Sequence, residues 1–298
     1  MKFSSIILRV FRAASCAALL LACSGAYGAA SASDQQFLVR AQKPYSNLRE
    51  KGLVTFEASL TPDWTLALKG QTPEATAQGL KLLQKIWFKM VQSEDNSVRI
   101  THGGEVGAVS EKQQAGLNQI YAGMEQMVTG FFSTWSTFML TPPLPDPASD
   151  YELAHLDEGY RLTYKEDKSR VTTTLGKDAI VTEVSVVDPG FTSTLHPHFV
   201  ASPQGLLLDG YQALYVGNGS ANTTTLDIQI SYELAGGLLL PSKLHLAGTT
   251  TRSRSMSRSP FPTTGCGRSK LRTRGAKEGG RYWAHCLSEV SAGAVSTQ

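Results

Sequence analysis

One stretch constrains this chain more than any other: residues 111–139. Leu117, Ile120, Tyr121, Met124, Met127, Val128, Phe131, Phe132, Trp135, Phe138 and Met139 follow one another in steps of one and three. That is the period of a single helix face. At a rise of 1.5 Å per residue such a helix is on the order of 40 Å long. Gln113, Gln114, Asn118, Glu125, Gln126 and Ser133 take the other faces, so the helix is amphipathic and not a membrane span. The proline-rich run 141–147 ends it. A helix carrying this much aromatic surface on one side needs an apolar partner to cover it.

The partner is written downstream. Residues 151–156, 160–165, 170–175, 180–187, 206–216, 224–234 and 239–246 read as strands, several alternating apolar and polar residues, as in Leu226-Asp227-Ile228-Gln229-Ile230. Turn sequences such as Asp157-Glu158-Gly159 and Gly217-Asn218-Gly219 separate them. Strands at this spacing joined by short turns form an antiparallel meander, which buries one face. The expected fold is therefore α+β: a curved antiparallel sheet of about seven strands, with amphipathic helices covering its concave face.

The first half is more mixed. Residues 33–51 have helical spacing interrupted at Pro44, and residues 53–60 alternate as a strand. Thr72-Pro73-Glu74 starts a helix, with Pro at its first position and an acid in its first turn. Its stripe is expected to run through Leu80, Leu83, Trp87, Met90 and Val91. Residues 97–101 form a short strand.

Charge and cysteine usage divide the chain into three. Residues 1–32 read as an export signal: Lys2, Arg9 and Arg12, then a ten-residue apolar run at 13–22. Two processing readings stand side by side. Ala30-Ser31-Ala32 fits cleavage and release, whereas Leu20-Leu21-Ala22-Cys23 resembles a lipoprotein box in which Cys23 is acylated. Either places the protein in the periplasm or at the outer membrane, and acylation would add peripheral membrane association. Residues 33–248 form one domain. The body from 34 to 246 has a net charge of −7 and contains no cysteine, so no disulfide framework holds it, and it would repel a phosphate backbone. No nucleic-acid partner is expected. Residues 249–298 carry nine basic and two acidic residues. They are expected to be a disordered basic tail or the product of a shifted reading frame: residues 249–266, back-translated and read two bases ahead, give an alternating strand-like string for one codon choice.

No catalytic constellation accompanies this architecture. There is no G-x-S-x-G elbow and no phosphate-binding loop. His196-Pro197-His198 is an H-x-H pair, but Pro197 places it in a solvated loop, so no metal and no other cofactor is expected. The remaining candidate is the helix face. Met124, Met127, Phe131, Trp135 and Phe138 are bulky or deformable apolar groups. They either pack a plain core or line a cavity between helix and sheet.

The run Ile230-Ser231-Tyr232-Glu233-Leu234-Ala235-Gly236-Gly237-Leu238-Leu239-Leu240-Pro241-Ser242-Lys243-Leu244, a strand, a Gly turn, Leu-Pro and another strand, resembles the lipoprotein-localisation (LolA/LolB-like) superfamily. The chain is also similar to secreted bacterial proteins with a Thr61-Pro62-Asp63-Trp64-like turn and a Gly123-to-Met127 helix motif. The first resemblance implies an incomplete β-barrel capped by helices that holds acyl chains. The function expected is therefore non-enzymatic binding of a hydrophobic ligand or a lipidated protein. The alternative is a structural or interaction module of the envelope without a cavity.

Overall fold

The computed structural model describes residues 31–219 and 222–252, together with the backbone of residues 282–297. The proposed export signal up to residue 30, Cys23 included, and most of the basic tail lie outside the described residues.

Helix α1 (Ala32–Gln42) starts where the Ser31 hydroxyl accepts from the Asp34 amide, and stops just before Pro44. Strand β1 (Leu53–Pro62), the single-turn helix α2 (Trp64–Ala67) and helix α3 (Pro73–Leu83) follow. The Thr72 side chain caps α3. The stripe expected to reach Val91 ends early, because α3 stops at Leu83 and β2 (Ile86–Gln92) takes over. Burial there alternates instead of recurring every third or fourth residue: Ile86, Phe88, Met90 and Gln92 are buried, while Trp87 and Lys89 are exposed. Pairing with β1 on one side and β3 (Val98–Gly104) on the other overrides a helical reading of the same apolar residues. Trp87 lies across Gly103, where a Cβ would come within 2.7 Å of the indole ring.

After α4 (Glu111–Met139) come β4 (Tyr151–Leu156), β5 (Gly159–Glu166), β6 (Ser169–Leu175), β7 (Val181–Val187), β8 (Phe191–Ser202), β9 (Gly205–Gly217), β10 (Asn222–Ala235) and β11 (Leu238–Arg252). These eight strands are an unbroken antiparallel meander. β12 (Tyr282–Thr297) pairs with β11 on one side and β1 on the other, joining the meander to β1–β3 in the order β3-β2-β1-β12-β11-β10-β9-β8-β7-β6-β5-β4. The expected seven strands are thus twelve. The expected boundary at 248 is also displaced, since β11 continues to Arg252 and residues 282–297 belong to the sheet. β3 and β4 are its terminal strands, so no closed barrel forms.

β8 is the strand that Pro197 hides in the sequence. Its ladder with β7 ends at Val184↔Leu195, while pairing with β9 continues through Pro197↔Tyr211. Pro197 therefore sits where β8 has no partner on the β7 side, and its missing N–H leaves no gap in the ladder.

The sheet curls around α4. Gln92 on β2 donates to the Ser136 hydroxyl, and two residues further along α4 the Phe138 ring lies 5.9 Å from Phe199 on β8. Six strand intervals separate β2 from β8, roughly 29 Å in a flat sheet. Neighbouring side chains of one helix reach both strands only if the sheet bends around them. α1 and the segment after it cover the β5–β8 side, with Phe37 of α1 against Tyr160 and Tyr45, beyond the helix, against Phe199.

Two polar clamps fix the chain crossing from α1 to β1. The Arg49 guanidinium donates to the carbonyls of Leu53, Val54, Ser93 and Glu94 and to Asn96 Oδ1, at 2.6–3.0 Å. It ties the start of β1 to the β2–β3 turn. Arg49→Lys keeps the charge but cannot present this fork. It is expected to lower unfolding free energy by about 1–3 kcal/mol, read as a lower denaturant midpoint at unchanged slope. The second clamp is the buried Tyr45 hydroxyl, which accepts from the Val181 amide at 2.7 Å beside the β6–β7 bulge. Burial pushes its pKa from 10.0 up to about 12, with hydrogen bonding to Val181 acting the other way. The raised value means that the stability Tyr45 contributes is intact below pH 10 and is lost as pH climbs from 10 through 12. Tyr45→Phe should flatten this part of the alkaline unfolding curve.

Candidate functional site

α4 begins with a reciprocal cap: the Ser110 hydroxyl accepts from the Gln113 amide while the Gln113 side chain accepts from the Ser110 amide. Of the five residues that sequence marks as candidate lining, four are core. Met124, Phe131, Trp135 and Phe138 are all at least nine-tenths buried. Trp135 packs against Phe56 of β1, and its Nε1 donates to the Tyr232 hydroxyl at 3.1 Å. Tyr232 in turn donates to the Leu208 carbonyl at 2.6 Å. Phe138 meets Phe199, and Phe131 and Phe132 meet edge to face. Met127 differs: it is only partly buried.

Met127 belongs to a second stripe, about a quarter-turn away around the helix. Gly116, Ile120, Gly123, Met127, Gly130 and Thr134 follow in alternating steps of four and three. Ile120, Met127 and Thr134 are half-buried. A Cβ placed on any of the three glycines meets no atom within 4 Å, so open space runs beside this stripe. Sequence reading passed over it because it followed only the large apolar residues. The signal available was the seven-residue recurrence of glycine, which costs about 1 kcal/mol per position against alanine in a helix.

α4 meets the inner face of the sheet at β9. Register places Tyr151, Tyr164, Val171, Val186, Ser193, Tyr215, Thr224 and Thr250 in one row. Leu153, Leu162, Thr173, Val184, Leu195, Ala213, Leu226 and Gly248 form the next. Neither row contains Lys, Arg, Asp or Glu. Thr173 and Ala213 are fully covered, but Val184, Val186, Ser193, Tyr215 and Leu226 remain half-buried. Helix and sheet come together near Thr134, whose hydroxyl donates to the Gly130 carbonyl at 3.0 Å and which lies close to the phenols of Tyr211 and Tyr215. Burial raises the pKa of both phenols, with the Thr134 contact acting the other way.

Elsewhere the concavities lie open to solvent. An open groove of about 530 Å³ lies between α1 and residues 146–148, lined by Gln35, Val39, Arg40 and Asp146 among others. His196 and His198 are exposed on β8, with His196 Nδ1 3.9 Å from Glu183. Among the described residues no group of three or more His, Cys, Asp or Glu side chains could hold a metal ion, and no helix is long and apolar enough to cross a membrane. No protein-family model matches this sequence, and neither a curated protein nor a solved structure matches it.

The two stripes of α4 should respond to substitution in opposite ways. Trp135→Ala removes a fully buried ring and is expected to cost about 3–5 kcal/mol. Gly123→Ala fills open space on a helix and should stabilise by up to about 1 kcal/mol. Chemical denaturation of the two variants checks both signs.

Proposed function

We propose that this protein is a non-enzymatic, exported binder of a hydrophobic ligand, an acyl chain, lipid or lipidated protein, held between α4 and the inner face of the sheet. In this reading the curled sheet is an incomplete β-barrel of the lipoprotein-localisation kind, open between β3 and β4. The chain works in the periplasm or at the outer membrane, and acylation of Cys23 would tether it there.

The observation that carries the reading is the Gly116–Thr134 stripe, half-buried except at the exposed Gly123, apolar between its glycines and with open space beside it, together with the two uncharged rows on the inner face of the sheet. An alkyl chain laid there gains ~0.8 kcal/mol per buried methylene, so a dozen methylenes offset the entropy of association. No proton transfer is involved. A wholly structural module is the second reading. It is favoured by the dense packing of Met124, Phe131, Trp135 and Phe138, so the ligand is placed beside these residues and not among them.

The test is displacement of an environment-sensitive fluorescent alkyl probe from the purified full chain, paired with Gly123→Phe. The phenyl ring would occupy the open space. We expect the wild type to bind the probe and Gly123→Phe to weaken binding at least tenfold with unfolding free energy unchanged or raised. A wild type that gives no probe signal, or a variant that binds equally well, overturns the reading in favour of the structural module.

A further inference from the structure

We infer that the outer face of β1–β3 carries a second site, a platform on Trp87 that stacks against one pyranose ring of a neutral glycan. It uses different residues from the hydrophobic-ligand site and does not depend on that reading.

Among the described residues, Trp87 is the one large apolar side chain of β1–β3 that is exposed, at 48%. Its ring is seated on backbone. Trp87 pairs with Gly103 of β3, and the indole lies where a side chain at 103 would stand: a Cβ there would come within 2.7 Å of Cζ2 and 2.9 Å of Cε2. One side of the ring is thereby covered, and the exposed side is turned to water. No described residue accepts a hydrogen bond from its Nε1–H.

The surroundings are polar. Lys89 shares the exposed face two residues along β2, with Ser59 and Thr101 beside it on the neighbouring strands. All three are exposed, and among the described residues the Lys89 ammonium has no ion-pair or hydrogen-bond partner. In the next row Glu57 and Arg99 flank Val91. The face therefore carries two cations and one anion.

This combination selects a partner by its chemistry. A protein hot spot or a membrane anchor would surround the ring with further apolar surface, and here the indole stands among hydroxyls and charges. A pyranose offers a side made of C–H bonds, matched to the negative face of an aromatic ring, and a rim of hydroxyls that donate and accept. The Trp87 N–H, the Lys89 ammonium and the Ser59 and Thr101 hydroxyls can meet that rim. An anionic glycan is disfavoured by the net charge of −7 on the body.

The experiment is titration of the purified full chain with cellotetraose, a neutral glycan whose rings present axial C–H bonds on both sides. The readout is the Trp87 indole N–H signal in ¹H–¹⁵N spectra, identified by its loss in Trp87→Ala. We expect that signal to shift saturably and to move most among the four tryptophans. Gly103→Val keeps the indole but unseats it, and should weaken binding about tenfold. Lys89→Ala should weaken it about two- to tenfold at an unchanged denaturation midpoint. A Trp87 signal that does not respond to cellotetraose, or Gly103→Val and Lys89→Ala variants that bind as tightly as the wild type, overturns the inference. So does a Trp87 signal that responds to phosphatidylglycerol vesicles and not to the glycan, which would make the ring an interfacial anchor.

Discussion

The structure depends on one contact zone, where Phe132, Trp135 and Met139 in the last two turns of α4 are enclosed by strands that are far apart in the sheet. Phe56 on β1 reaches them from one side and Tyr232 on β10 from the other. Met139 Sδ accepts from the Leu208 amide of β9. A flat sheet would bring only a few adjacent strands to one helix turn. The aromatic volume at the end of α4 therefore sets how tightly the sheet bends, and the bend sets which inner-face residues are left beside the rest of the helix. The two stripes of α4 follow from this: one is consumed in making the curvature, and the other lies along its open margin.

Much of the fold was legible in the sequence because periodicity there is unambiguous. The helix at 111–139 carries too many apolar residues at helical spacing to be read otherwise, and the strands from Tyr151 onward are punctuated by turn residues. Two misreadings have physical causes. Ile86 to Val91 places Trp87, Met90 and Val91 at spacings that fit a helix continuing from Leu80, and only pairing with β1 and β3 decides for a strand. β8 was hidden because Pro197 signals a break, and a proline is silent only when the strand has lost its neighbour on the N–H side, a fact about the β7 ladder and not about local sequence. The extent of the sheet was underestimated for a third reason: charge and composition separate residues 249–298 from the body, yet β12 enters through long-range pairing with β1 and β11.

The candidate site was legible only in part. Large residues announce a buried face, and four of the five marked in the sequence are buried. What they fill is the core, because a fully covered Trp or Phe has no surface left for a ligand. The residues left beside open space are the small ones between them, together with the half-buried Tyr215 of β9, about eighty positions downstream of Thr134, and no spacing rule links the two. Glycine at 116, 123 and 130 was the available clue. Three glycines in one helix are a recurrent stability cost, and in this helix none of them is required by a close neighbour.

The central claim is that a hydrophobic ligand lies along the Gly116–Thr134 stripe. Photo-crosslinking with an alkyl diazirine, followed by peptide mapping of the labelled chain, tests it most directly. Label concentrated on Ile120 and Met127 of α4, and on the β7 and β9 peptides carrying Val186 and Tyr215, is the outcome this structure predicts. Label confined to the groove between α1 and residues 146–148, or scattered over the outer face of the sheet, would contradict it.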